Sequence, residues 1–211
     1  VVEIAFLLAT VASVLAIVDP VGTLPFFVAL TDGFSAADRE LVLRRAVVVA
    51  GSVLSLFALF GRFLFAAFGF TLQAFEIAGG ILLFTVAFDM LRGEITRTKL
   101  APADEQEALG RRDEIGVVPL GIPLLAGPGA ISTVMIFEGS AGNDLFSILA
   151  TFIAIAITAA VTYLVLHYGQ RIIRSLGRIG VMAITRVLGL VLAAVAVQFI
   201  VNGILGLVPQ L

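Results

Sequence analysis

Asp19 is the residue of this chain whose type and setting most invite chemistry. It stands beside Pro20 inside IVDPVGTLPFFVALT, residues 17–31, and the sequence around it is almost wholly apolar from Ile4 to Leu30. A lone carboxylate in hydrocarbon is costly, and such groups face a cavity or a partner and mark ion or substrate pathways. Asp19 can accept the ammonium of a zwitterion, coordinate a cation or carry a proton. It can also cap a half-helix that starts at Pro20, since Asp at N-cap and Pro at N1 is a favoured pairing. These roles are not exclusive.

A second stretch, Gly127-Pro128-Gly129-Ala130-Ile131-Ser132-Thr133, repeats the motif of a proline among small and hydroxyl residues inside an apolar run. Proline removes a donor and clashes with the preceding turn, which frees carbonyls on its N-terminal side. The half-helix that begins there offers free N–H groups and the positive end of a dipole. Two such ends meeting at mid-membrane suit a small carboxylate. Gly22, Gly127 and Gly129 have no Cβ to hold a ligand off the backbone, and Thr23, Ser132 and Thr133 add hydroxyls. The candidate substrate-binding set is therefore Asp19, Pro20, Gly22, Thr23, Gly127, Pro128, Gly129, Ala130, Ile131, Ser132 and Thr133. Asp19 is also the candidate for a coupling ion, proton or sodium. No cofactor or metal is expected.

The elements that must position these residues follow from composition. The 211-residue chain is 60% hydrophobic and 13% charged, with a mean hydropathy of +1.14, against about 25% charged residues in soluble domains. Its apolar segments are apolar all round, as in a membrane. Six are long enough to span: residues 4–30 broken at Asp19-Pro20, 46–68, 72–91, 115–137 broken by Pro119, Pro123 and Gly127-Pro128-Gly129, 145–168, and 181–207. The fold class expected is an all-α integral membrane protein of six transmembrane helices. Spans two and three, joined tightly around Gly69, are expected to form a helical hairpin. Eleven of the thirteen basic residues fall after spans one, three and five, which places those loops in the cytoplasm and both termini outside it. The start, VVEIAFLLAT, lacks a basic n-region and reads as the outer end of span one.

The chain divides into repeat 1 (residues 1–91), a cytoplasmic linker (92–114) and repeat 2 (115–211). The break at Pro20 matches that at Pro128, and Glu76-Ile77-Ala78-Gly79 in span three matches Arg186-Val187-Leu188-Gly189 in span six. Pro20 precedes Gly79 by 59 residues and Pro128 precedes Gly189 by 61. Three spans per half make the repeats inverted in topology, and paired Gly/Pro interruptions in such halves point to the binding site of a secondary transporter.

Other polar residues read as structural. Arg62 with Glu76, and Asp89 with Arg186, lie at matching depths and are expected as ion pairs or snorkelling groups. Gln73, Gln198 and Asn202 are expected to bond between helices. Gly79-Gly80 reads as close helix packing, and His167 as a boundary residue facing headgroups. The absence of cysteine excludes disulfides and thiolate chemistry. No HExxH and no Ser/His pair argues for an enzyme, no polar stripe argues for a channel, and no basic stripe interleaved with aromatics argues for nucleic acid.

DPVGTLPFFVAL, GGILLFTVAFDML and PLGIPLLAGPGAIST resemble the MarC family of bacterial and archaeal inner-membrane proteins. The resemblance covers essentially the whole chain and implies a six-span protein of the prokaryotic inner membrane, some members being assigned as transporters of small neutral amino acids. The family's Asp-Pro-x-Gly falls on Asp19, Pro20 and Gly22, its next proline on Pro25, and its Gly-Pro-Gly-x-Ile-Ser on Gly127, Pro128, Gly129, Ile131 and Ser132. Thr23 departs from the Asn that many relatives carry. That change keeps a hydroxyl acceptor and drops an amide's second donor.

Residues and resemblance together lead to one expectation. The chain should move a small zwitterion such as glycine or alanine by alternating access, with the lipid bilayer as its surroundings and a homo-oligomer as a candidate assembly. The competing expectation is a non-transporting membrane scaffold or a resistance-associated assembly protein.

Overall fold

The computed structural model describes residues 2–92, 115–140, 145–174 and 177–207, and all of its elements are helical. Expectations for the linker at 93–114 lie outside the described residues. The helices are α1 (Val2–Val18), α2 (Pro20–Leu30), α3 (Ala36–Phe68), α4 (Leu72–Arg92), α5 (Gly116–Leu125), α6 (Pro128–Ser140), α7 (Leu145–Arg174) and α8 (Gly177–Leu207). Five spans are long and apolar enough to cross a membrane, or six if α5 and α6, bent by 58° at their junction, are counted as one broken span. Large apolar side chains such as Phe63, Phe68, Val187 and Leu190 are exposed on the outside, as a lipid-facing surface requires.

Local chemistry explains the boundaries. Ser35 caps α3, its hydroxyl accepting from Asp38 N–H at 3.2 Å, and α3 ends at Gly69 in the left-handed region at φ 70°. Thr71 accepts from Ala74 N–H at 3.2 Å and starts α4. Arg39, Arg44 and Arg45 lie on the first turns of α3 rather than in a loop. In α5, Pro119 and Pro123 supply no N–H, and Val118 and Ile122 before them are extended at φ −129° and −134°. The coil is wide, with Ala126 N–H donating to Gly121 O five residues back at 3.0 Å.

Span one (α1 and α2) packs on α7, and span four (α5 and α6) packs on α3. Contacting residue numbers rise together along span four and α3. Gly116 meets Val42 and Arg45, Gly121 meets Val49 and Gly61 meets Met135, while Gly169 meets Leu24; span four is thus parallel to α3. Helices α4 and α8 run antiparallel, since Gly189 lies against Ala87 and Met90, Gly80 against Ala196 and Ile200, and Gly203 against Gln73 and Ile77. Glycine is required at these points because an added Cβ on Gly80 would sit 2.7 Å from Ala196 O and one on Gly203 would sit 2.6 Å from Gln73 O. Close backbone approach of this kind is what drives helix association in lipid.

Two apolar cores result. The larger gathers residues of α1, α2, α3, α5, α6 and α7 around Phe27, Leu43, Leu120 and Ile131. The smaller joins Leu83, Ala87 and Met90 of α4 to Leu192 and Ala196 of α8, with Phe26 and Ala29 of α2. The expected hairpin of spans two and three is corrected here. Helices α3 and α4 meet at the Gly69 turn through a cluster of Phe57, Phe65, Phe70 and Phe75, but α4 packs along its length on α8. A tight turn fixes the ends of two helices and leaves their partners to side-chain packing.

Candidate functional site

Asp19 separates α1 from α2 and adopts φ 44°, ψ 71°, the left-handed region that Asp tolerates better than most residues. Its own N–H still donates to Leu15 O at 3.1 Å, so α1 is complete up to the break, and its carbonyl accepts from Thr23 N–H at 3.0 Å. The carboxylate turns forward, with Oδ1 accepting from Gly22 N–H at 2.9 Å. The capping role is therefore occupied. One donor at the amino end of α2 is satisfied by the protein's own anion.

The amino end of α6 is built differently. Gly127 stands at the cap position with no side chain, Pro128 opens the helix, and the first bond within it is Ile131 N–H to Gly127 O at 3.0 Å. The N–H groups of Gly129 and Ala130 precede that bond and have no acceptor within the helix. An added Cβ on Gly127 would sit 2.6 Å from Pro123 O, so only glycine lets the bend between α5 and α6 close this tightly. Pro128 in turn lies against Gly79 of α4, where a Cβ would sit 2.7 Å from Pro128 Cγ.

Between the two breaks lies a cavity of about 330 Å³. Of the candidate residues it brings together Asp19, Gly22, Thr23, Gly127, Gly129 and Ala130. Pro20, Pro128, Ile131, Ser132 and Thr133 are not part of its lining. Ser132 donates to Pro128 O, and Thr133 Oγ1 donates to Gly129 O at 2.8 Å, so both hydroxyls are spent on their own helix, while Ile131 is fully buried in the larger core. The far wall is apolar and comes from α4 and α8, through Leu83, Leu188, Val191, Leu192, Val195 and Phe199. Sequence reasoning passed over these residues, because in helices apolar all round nothing separates a cavity wall from a lipid face. Among the described residues no three His, Asp or Glu side chains gather as a metal site would require.

Several expectations for the remaining polar residues need correction. His167 does not face headgroups alone. Its Nδ1 lies 2.8 Å from Glu40 Oε2, while Tyr163 OH and Arg44 Nε donate to Glu40 Oε1, the latter at 2.7 Å. This cluster ties α3 to α7 across the two halves of the chain. Arg62 and Glu76 form no ion pair with each other: Arg62 is exposed and Glu76 half-buried, and in a membrane a long side chain at the boundary reaches water more cheaply than it holds a partner. Gln198 donates to Asn202 Oδ1 at 2.7 Å within α8 rather than between helices, because residues four apart already share a face. The side chain of Asp89 lies outside the described residues, and with it the expected pair to Arg186.

An all-helical, multi-pass integral membrane protein with a cavity between two interrupted spans is the class that these features define. The chain belongs to the MarC family: residues 4–208 match the model described as MarC family integral membrane protein. It is 38% identical to a UPF0056 membrane protein of Methanocaldococcus jannaschii over 97% of this chain and 98% of that one. It is 36% identical to the UPF0056 membrane protein YvbG of Bacillus subtilis, over 98% and 97% of the two chains. It is 35% identical to the UPF0056 membrane protein YhcE of Escherichia coli, over 93% and 90%. No solved structure matches the chain.

Proposed function

We propose that this protein is a secondary transporter of small neutral amino acids of the glycine and alanine type in a prokaryotic inner membrane. The observation that carries the reading is the meeting, in one cavity, of the open amino end of α6 with the carboxylate of Asp19. The N–H groups of Gly129 and Ala130, at a positive helix end, suit a substrate carboxylate. Asp19, anchored through Oδ1, keeps an anionic side chain at the same cavity for an α-ammonium. The apolar wall of Leu83, Val191 and Phe199 favours a short aliphatic side chain and disfavours a charged one.

Alternating access follows from two inverted repeats, and the packing supports that arrangement. Exchanging the halves maps span one on α7 onto span four on α3, and maps the α4–α8 pair onto itself. Inverted repeats with discontinuous helices are a common plan for such transporters, and the arginine and lysine distribution supports cytoplasmic loops after spans one, three and five.

The test is uptake of radiolabelled glycine or alanine into liposomes carrying the purified protein. Saturable, competable uptake supports the proposal. Folded protein that neither binds nor moves any small neutral amino acid sinks it and leaves the scaffold reading.

A further inference from the structure

Two threonines depart from a pattern that five other helix hydroxyls share. Thr10, Thr31, Ser132, Thr133 and Thr151 each donate to the carbonyl four residues back in their own helix. Thr158 and Thr162, one turn apart on α7 and each 2% exposed, make no hydrogen bond. Each could have turned back onto α7 as the others do. Both residues line a second cavity, of about 10 Å³, between α7 and residues Val47, Ala50, Gly51 and Leu54 of α3. That is room for a single water-sized species.

The small cavity also reaches the carboxyl-end side of each break. Val18, the last residue of α1, and Leu125, the last of α5, both line it. The final carbonyls of a helix have no intrahelical partner and carry the negative end of its dipole. Pro20 deepens the effect in α1, because it stands four residues after Ala16 and has no N–H to give. The large cavity takes in both sides of each break, Ile17 and Val18 with Gly22, and Pro123 and Leu124 with Gly129, whereas the small one meets the breaks at the carboxyl-end residues Val18 and Leu125. No formally charged side chain lines the small cavity. A divalent ion, which draws on carboxylates or keeps its own waters, does not fit such a lining. Neutral carbonyl and hydroxyl oxygens at the carboxyl ends of broken helices are the ligands that hold sodium in transporters built on such breaks. A water there would answer the two hydroxyls but not the negative dipole ends of α1 and α5.

We propose that Thr158 and Thr162, with the carboxyl ends of α1 and α5, form a binding site for a single dehydrated monovalent cation of the size of sodium. The site does not depend on which solute the large cavity takes, and its test reads binding alone. The full-length protein, purified in detergent, is melted in NaCl, KCl and choline chloride at equal ionic strength. The melting temperature should be higher in NaCl, by about 5 °C at roughly 100-fold excess over the dissociation constant. Thr158→Val and Thr162→Val should each erase that increment. In choline chloride the same variants should melt at or above the wild type, since each removes a buried hydroxyl that has no partner. Thr158→Ser, which keeps the hydroxyl, should retain the increment and stands in if the valine variants fail to fold. Radiolabelled sodium should bind the wild type and not the valine variants. Equal melting of the wild type in NaCl and choline, an equal rise in KCl, or a sodium increment that survives both valine substitutions would each overturn the assignment.

Discussion

The carboxylate of Asp19 fills the space above Gly22 that any larger residue there would need: an added Cβ would sit 2.1 Å from Asp19 Oδ2 and 2.8 Å from its Cγ. Asp19 can cap α2 only because position 22 has no side chain, and Gly22 N–H is satisfied only because Asp19 bends over it. The two residues act as one device that ends α1 and starts α2.

Gly22→Ala should therefore destabilise the protein beyond the ordinary effect of a methyl group. Losing an N-cap costs about 1 kcal/mol, and displacing the carboxylate into an apolar wall adds to it. The expected result is a lower melting temperature together with weakened substrate binding, measured on the same purified sample.

Asp19→Asn separates the cap from the charge. Asn caps about as well as Asp, so the melting temperature should stay within 1–2 °C of the wild type. If the carboxylate receives a substrate ammonium, KM for uptake should rise about tenfold or more, which corresponds to about 1.4 kcal/mol. An unchanged KM would leave Asp19 with the cap alone.

The hydroxyls of Ser132 and Thr133 are bound to their own helix, whereas Thr23 lines the cavity. Ser132→Ala and Thr133→Val should leave KM within about twofold, each net hydrogen bond within one helix being worth only about 1 kcal/mol. Thr23→Val should shift substrate preference among glycine, alanine and serine, read by competition.

Gly80→Ala and Gly203→Ala should each separate α4 from α8, because the new methyl groups meet backbone oxygen atoms that cannot swing away. Overpacking of this kind costs about 1–3 kcal/mol. Denaturation in mixed detergent should show the loss, and the pair should be less than additive, since either substitution opens the same interface.

Breaking the cluster of Glu40 with Tyr163, His167 and Arg44 should weaken the tie between α3 and α7. Glu40→Gln keeps an acceptor and the shape, and should lower the melting temperature less than Glu40→Ala does. Arg44 is well exposed, so its share should be small, and a double-mutant cycle on Glu40 and His167 should show the stronger coupling.

The spans and their interruptions were legible in the residues because a bilayer imposes a length and proline imposes a break. Asp19-Pro20 and Gly127-Pro128-Gly129 announce themselves in that way. The direction of a side chain was not legible. Ser132 and Thr133 sit one turn from the cavity, yet each hydroxyl found a nearer acceptor in the carbonyl four residues back. Leu83, Val191 and Phe199 form the cavity wall with the same composition as neighbours that face lipid. Glu40 and His167 are 127 residues apart, and no periodicity within either helix could have joined them. The hairpin expected at Gly69 failed for a related reason, since Gly203 and Gly189 offer α4 a closer approach than α3 does.

The two apolar cores have a mechanical meaning. The large cavity lies on the seam between them, with one wall on the six-helix body and the other on the α4–α8 pair. Each body is bolted together internally, one by the α3–α7 cluster and the other by its glycine register. The seam between them is made by Phe26, Ala29 and Leu124, by Phe75 of α4 against Phe57 and Phe65 of α3, and by Pro128 against Gly79. Sliding one body against the other would reshape the cavity and redirect its mouth while both cores stay closed.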